Sequence, residues 1–362
     1  RDDARMNKQR LQRVLDNMEA QGLDQILVTS TASVFYLTGY WIEPHERMLA
    51  LYIDKNGRTA LYGNEIFGVE ATADLPVIPH ADSADPVADL AAALAPGQLG
   101  VDKFWPSKFL IGVMEHRPDI RPVLGSGPID AARRYKDEAE RDALRRASKI
   151  NDIVVETAIG ALADGAVEAE LAALVNRTYL QNGADVSDGP QLVCFGANAA
   201  DPHHAPGHDV VKSGDCVVFD IFTPIRRYWC DMTRTVYFKE AGEEERRIYA
   251  LVKAANQAGI DAVRPGVPLR DIDRAARRVI EEGGYGPYFT HRLGHGIGLE
   301  CHEPPDVSAG SDAIAEPGMV FSIEPGVYLP GRTGVRIEDL VLVTETGCEV
   351  LNAAPKDLRV VG

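Results

Sequence analysis

The run "VVFDIFTPIRRYWCDMTRTV", residues 217–236, sets two aspartates inside strand-like sequence. Val, Ile, Phe, Tyr, Trp and Thr dominate it, the residues that suit a pleated, half-buried surface. Asp220 and Asp231 each sit among such residues. Thr223-Pro224-Ile225-Arg226 reads as the turn between two strands. A hairpin of that length places the two aspartates on neighbouring strands. Asp is depleted from strands, and a buried carboxylate without a partner is costly. Two such violations in one hairpin call for a counter-charge, and a cation bridging both would supply it.

Further acidic groups appear downstream at similar positions. In "VFSIEPGVYL", Glu324 follows an apolar run and precedes Pro325-Gly326. In "GVRIEDLVLV", Arg336 and Glu338 are two apart and share a strand face, whereas Asp339 points the other way. The stretch "HRLGHGIGLECHEPP" holds three of the nine histidines, among them His295. Asp220, Asp231, His295, Glu324 and Glu338 make a hard, oxygen-rich set without thiolates. Such a set suits a pair of divalent ions better than one structural zinc. Taken singly, each residue has a plainer role. The aspartates could pair with Arg226, Arg227 or Arg234, Glu338 with Arg336, and His295 could be a hydrogen-bonded core residue. Their joint occurrence favours the metal centre.

The periodicity gives the scaffold. Residues 5–21 carry Leu11, Val14, Leu15 and Met18 at helical spacing, with Gly22 as the stop. "DQILVTS" reads as a strand and "SVFYLTGY" as a short helix closed by Gly39. "MLALYID" and "RTALYG" flank Asn56-Gly57 and predict a hairpin. Helices over 85–95 and 106–117 alternate with strands at 99–102 and 120–126. This is an α/β domain over residues 1–125. From residue 126 the composition turns charge-rich and helix-favouring. Helices are expected at 137–163 and 167–182, then strands over 190–196, 215–223 and 227–238. Helices at 243–263 and 268–282 follow, then strand and loop to the end. The order helix–helix–strands occurs twice. The second domain is therefore 126–362, and the whole is of the α/β (α+β) class.

Composition narrows the partners. Lys and Arg total 38 against 54 Asp and Glu, a net charge of −16. That field disfavours nucleic acid and anionic membrane. No apolar run reaches the roughly 18 residues of a membrane span. The five cysteines are scattered, with no paired motif, so a disulfide framework is not expected. No leader pattern is visible at the start, "RDDARM", and a cytoplasmic location is expected.

The strings "VVFDIF", "CDMTRT", "LGHGIGLE", "SIEPGVY" and "VRIED" resemble the M24-type "pita-bread" metallopeptidases, which comprise Xaa-Pro dipeptidase (prolidase), aminopeptidase P and methionine aminopeptidase. The first domain is similar to the creatinase-like N-terminal domain of the proline-specific branch, with "SVFYLTGY" matching its Tyr-Leu-Thr-Gly segment. The resemblance implies a pita-bread catalytic domain and one metal held by Asp220, with Asp231 and Glu338 bridging to a second held by His295 and Glu324. It implies Mn²⁺ ahead of Co²⁺ or Zn²⁺, and a homodimer. His203 and His302 match positions that contact the scissile region or the tetrahedral intermediate in relatives. Glu324 matches the general base or proton shuttle. Arg336 and Tyr328 would line the site, and His291 would be structural or line the side that receives the first residue.

The substrates so implied are small peptides with proline in position two. Proline makes a tertiary amide with no N–H and a fixed φ, so a peptidase that grips that N–H fails on it. A two-metal centre instead supplies a shared hydroxide at neutral pH and stabilises the oxyanion. One departure stands out. Some prolidases carry a basic residue a few positions after the His-Glu pair, where "HEPPDVSAGSD" has Asp306. An Xaa-Pro dipeptidase is the leading expectation, and aminopeptidase P acting on longer peptides is the alternative. A non-catalytic binding member is disfavoured by the complete ligand set and the acidic charge.

Overall fold

The computed structural model describes residues 5–185 and 191–362. They form two compact units, one ending at Arg133 and one beginning at Arg134. Pro190, the expected first residue of the strand over 190–196, lies outside the described residues.

The first unit runs α1 (Lys8–Ala20), β1 (Gln25–Val28), α2 (Thr31–Thr38), β2 (Leu49–Asp54), β3 (Thr59–Asn64), β4 (Val77–His80), α3 (Ala88–Ala93), β5 (Gly97–Val101), α4 (Ser107–His116), β6 (Ile120–Leu124) and α5 (Gly127–Arg134). Its six strands are ordered β4-β3-β2-β1-β5-β6. Asn7 caps α1 by accepting from the Arg10 N–H at 3.1 Å, and Val14 and Met18 are its buried face. The β2–β3 turn forms where Asn56-Gly57 predicts it, with the Asp54 carboxylate accepting from the Asn56 and Arg58 N–H groups. Sequence periodicity gives no strand at β4. That edge strand is four residues long, partly exposed and contains Pro79, so it carries no alternating apolar pattern.

The second unit runs α6 (Glu138–Gly160), α7 (Glu168–Gln181), β7 (Leu192–Phe195), β8 (Cys216–Ile225), β9 (Tyr228–Phe238), α8 (Glu243–Ala262), α9 (Leu269–Glu282), β10 (Gly294–Gly296), β11 (Glu303–Val307), β12 (Val320–Ile323), β13 (Gly326–Leu329), β14 (Thr333–Arg336), β15 (Asp339–Val343), β16 (Cys348–Val350) and β17 (Val360–Val361). α6 starts afresh after α5 because Asp137 and Glu140 form a capping box. Among the described residues, one sheet is ordered β17-β9-β8-β7, another β11-β10-β12-β15-β16, and β13-β14 form a separate pair.

The β8–β9 hairpin shows how period-two alternation builds a site. Val217, Phe219, Ile221, Cys230, Met232 and Val236 face the core shared with α6 and α7. The opposite face carries Asp220, Asp231 and Thr233. Phe222 pairs with Asp231 and Asp220 with Thr233, so the two aspartates are diagonal neighbours on one face. The turn differs from the expected one. Thr223, Pro224 and Ile225 remain in β8, and the loop is Arg226-Arg227, with φ of 50° and 76°. Pairing with β7 ends at Asp220, so Pro224 lies beyond the stretch where a missing N–H would break that ladder.

The runs over 318–329 and 334–347 are not continuous strands. The first passes from the five-stranded sheet (β12) into the β13–β14 pair and the second returns from that pair to the five-stranded sheet (β15), and Glu324 and Glu338 sit at those two breaks.

Candidate active site

A cavity of about 690 Å³ opens in the second unit. Asp220, Asp231, His295, Glu324 and Glu338 all line it, as do His203, His291, His302 and Arg336. Tyr328 is not among the lining residues; it is buried behind the wall. Asp231, His295 and Glu338 each offer one ligand atom, and those atoms lie within 4.8 Å of one another. Glu324 Oε1 is 3.3 Å from His295 Nε2 and Asp231 Oδ2 is 3.6 Å from it. Asp220 is turned toward Arg336, whose Nη2 donates to Oδ2 at 2.6 Å.

The imidazole of His295 is held from behind. Its backbone N–H donates to Ser322 Oγ at 3.0 Å, and its Nδ1 meets the Gly296 carbonyl at 3.1 Å. A carbonyl only accepts, which assigns the proton to Nδ1 and leaves the Nε2 lone pair facing the two carboxylates. Burial, and then neighbouring His302, lowers the His295 pKa to about 3, so it does not protonate near neutrality. Burial and then mutual repulsion with Asp220 and Glu324 pushes Asp231 well above the carboxylate range. Burial and then Asp231 does the same to Glu338. Burial lifts Glu324 to about 7, against the opposing pull of Arg336.

Two buried oxygens, Asp231 Oδ1 and Glu338 Oε1, have no hydrogen-bond partner. Orphaned buried acceptors are rare and need an explanation. A lone pair, two orphan oxygens and crowded carboxylates gathered at one cavity fit a divalent cation. The donors are imidazole and carboxylate, the set that Mn²⁺, Co²⁺ and Zn²⁺ all accept.

The glycines around His295 serve strand contact. A Cβ on Gly294 would lie 1.9 Å from the Ser322 carbonyl oxygen, and one on Gly296 would lie 2.6 Å from that of Glu303. They bring β12 and β11 against the His295 backbone.

The wall behind the ligands is a hydrogen-bond chain. Arg336 Nη1 donates to the Tyr328 hydroxyl at 2.9 Å, that hydroxyl meets His291 Nε2 at 2.7 Å, and His291 Nδ1 meets the Arg292 carbonyl at 2.7 Å. His291 is thereby committed at both nitrogens. Burial and then the charge of Arg336 lower its pKa to about 4. His302 has its ring centroid 4.1 Å from that of His295, and burial followed by Arg292 lowers its pKa. His203 stands on the loop after β7, its N–H donating to Asp201 Oδ1.

Sequence reasoning missed other lining residues. Cys301 Sγ is 3.4 Å from Asp231 Oδ2. Phe222 and Trp229, with ring centroids 6.4 Å apart, form an apolar part of the wall. Arg292 also lines the cavity, and its Nη1 donates to Asp306 Oδ1 at 2.6 Å. Arg292 was visible within the His-rich string, but its partner is set by the β10–β11 register, which places Asp306 opposite His295.

Residues 142–345 match metallopeptidase family M24, and residues 10–135 match the creatinase/prolidase N-terminal domain. The chain belongs to family M24. Its members are dinuclear metal-dependent peptidases, so this chain is a hydrolase of the peptidase class. It is 37% identical to an uncharacterized peptidase of Staphylococcus aureus (strain USA300), over 94% of this chain and 98% of that one. A dipeptidase structure from Pyrococcus horikoshii OT3 superposes with a TM-score of 0.92 at 32% identity, covering 97% of this chain and 99% of that one. The prolidase of Thermococcus sibiricus gives 0.91 at 31% identity, covering 98% of each. The match to M24 and to these structures bears out the expected mixed α/β class, with a creatinase-like N-terminal domain followed by a pita-bread domain. Among the described residues, no helix is long and apolar enough to cross a membrane.

Proposed function

We propose that this M24 peptidase hydrolyses the Xaa-Pro bond of dipeptides, with Asp220, Asp231, His295, Glu324 and Glu338 holding two divalent ions. The observation that carries the reading is the convergence of one ligand atom each from Asp231, His295 and Glu338 within 4.8 Å, where each of the two carboxylates also keeps a buried oxygen without a hydrogen-bond partner. Bound ions would polarise the scissile carbonyl and lower the pKa of water at the site. Glu324 Oε1 already accepts from Ser322 Oγ at 3.0 Å, which leaves Oε2 to take a proton from the attacking water and return it to the proline nitrogen. His302, held neutral, and His203 donate to the carbonyl oxygen as negative charge builds there. The Phe222–Trp229 wall offers an apolar rest for the pyrrolidine ring. The names borne by the solved relatives, dipeptidase and prolidase, agree with this substrate class.

Asp306 favours a second reading. A carboxylate at that position opposes a substrate's free C-terminus, which suits an aminopeptidase P acting on longer chains. The test is hydrolysis of Ala-Pro and Ala-Pro-Ala by protein stripped of metal and reloaded with Mn²⁺, with Asp231→Asn as the blank. Fast cleavage of Ala-Pro with little of Ala-Pro-Ala is expected. The reverse preference establishes the second reading, and cleavage of neither above the blank removes both.

A further inference from the structure

We propose that Arg292 is the specificity-determining residue that selects dipeptides, by gripping the free C-terminal carboxylate of the substrate. This rests on the Xaa-Pro reading and names the group that fixes substrate length.

In an Xaa-Pro dipeptide the carboxylate lies about 2.5–3.5 Å from the scissile nitrogen, so its partner must come from the same cavity. Two arginines line that cavity among the described residues, Arg336 and Arg292. Arg336 has every guanidinium nitrogen engaged: Nε with Thr233 Oγ1, Nη1 with Tyr328 and Nη2 with Asp220. Arg292 spends only Nη1, on Asp306 Oδ1 at 2.6 Å, and among the described residues its Nε and Nη2 donate to nothing. A guanidinium presents five N–H donors in a planar fork, so one held at Nη1 still offers a second edge to another carboxylate.

The backbone under Arg292 is braced on every side. The carbonyl of His291 accepts from Arg277 Nη2 at 2.9 Å, and the carbonyl of Arg292 is met by His291 Nδ1 at 2.7 Å. The Leu293 N–H donates to Asp273 Oδ1 at 3.1 Å, and the Leu293 carbonyl accepts from the Glu324 N–H at 2.8 Å. The backbone that carries Arg292 is therefore fixed relative to Glu324 and, three residues along, to His295, and the guanidinium is tied at its far end to Asp306. Asp306 then changes meaning. It neutralises no substrate group; it latches the arginine that does, and so takes the place of the basic residue some prolidases carry there.

In a longer peptide the carboxylate becomes an amide, and the charge-assisted part of the contact is lost. The experiment compares Ala-Pro with Ala-Pro amide on the Mn²⁺-loaded wild type, Arg292→Gln and Arg292→Lys. The wild type is expected to prefer the acid by about 10- to 100-fold in kcat/KM, the scale of a hydrogen bond to a charged group. Arg292→Gln loses that preference through KM and cleaves the amide near the wild-type rate, and Arg292→Lys keeps part of it. Equal loss on acid and amide, or an unchanged preference in Arg292→Gln, overturns the assignment while leaving the Xaa-Pro reading standing. Cleavage of neither compound by the wild type overturns that reading, and the role of Arg292 with it.

Discussion

Glu338 and Asp339 are neighbours in the chain, and both are essentially inaccessible to solvent, yet their surroundings are opposite. Asp339 faces away from the cavity, where Arg234 Nη2 and Lys356 Nζ each donate to one of its oxygens at 2.7 Å. Its charge is matched by protein alone. Glu338 faces the cavity, where Thr233 Oγ1 donates to one oxygen and nothing meets the other. The difference teaches how to tell a structural carboxylate from one kept for a ligand: burial is common to both, and the missing partner is what separates them.

The largest expected effect comes from removing charge on the cavity side. Glu338→Gln keeps the shape and the Thr233 contact. We expect kcat/KM on Ala-Pro to fall on the order of 10³- to 10⁴-fold, a loss of about 4–5.5 kcal/mol of transition-state stabilisation. The circular dichroism spectrum and cooperative melt of the metal-free protein should persist, because a crowded charge has been removed. Retained activity would break the comparison. On the other side, Asp339→Asn strands Arg234 and Lys356 in a buried setting. Losing one partner of a buried pair costs about 3–5 kcal/mol, so chemical denaturation should show a loss of that size. If Asp339→Asn proves as stable as the wild type, the two carboxylates are not distinct in the way the contacts indicate.

How far the sequence disclosed these features follows from which rules each residue breaks. Asp220 and Asp231 were legible because a carboxylate inside a strand violates a strong local preference. Glu338 and Asp339 were separable in advance because side chains alternate along a strand. Glu324 was recognisable as a strand-end residue and Glu338 as a strand residue, but the structural reason was hidden: both mark a crossing between sheets, which depends on long-range pairing. The hairpin turn was misplaced by the turn propensity of Thr223-Pro224, because the strand register continues past Pro224 to Ile225. Tyr328 was expected at the site, but its hydroxyl is taken by His291 and Arg336 behind the wall. Arg292 carried no local signal, since its partner Asp306 is brought near by tertiary pairing alone.

The comparison sharpens with pH. Glu324 is raised from an ordinary 4.5 to about 7 by burial, and Asp231 and Glu338 are raised for the same first reason. A carboxyl whose folded pKa exceeds its unfolded one binds more protons in the folded state across that window, so stability falls as pH rises through it. Metal-free protein should therefore lose thermal stability between about pH 4.5 and 7, on the order of 5 °C in Tm. Mn²⁺ displaces those protons, so the stabilisation it confers should grow over the same window. Paired melts at pH 5 and pH 7.5, with and without Mn²⁺, check this. A metal effect of equal size at both would show that the carboxyls are already ionised at pH 5.

The smallest effect tests whether the cavity side is organised as deliberately as the side behind it. Ser322 is fully buried on β12; its Oγ accepts from the His295 N–H and donates to Glu324 Oε1, each at 3.0 Å. One hydroxyl thus ties the His295 backbone to the carboxylate that faces its imidazole. Ser322→Ala removes both bonds and leaves the His295 N–H without that acceptor, while the Nδ1 contact to Gly296 remains. Groups that orient ligands from behind typically contribute 10–100-fold to metal affinity or activity. The remaining Gly296 contact places this case at the lower end, about tenfold weaker Mn²⁺ binding by calorimetry. Ser322→Ala leaves the Asp339 cluster intact, so metal-free protein should lose only about 1–3 kcal/mol, the cost of the stranded His295 N–H and less than that of Asp339→Asn. A large loss of metal-free stability in Ser322→Ala would mean that the hydroxyl supports the β10–β12 contact rather than the ligands. The cavity wall would then be held by strand pairing alone, with His295 and Glu324 finding their geometry only through the ion they share.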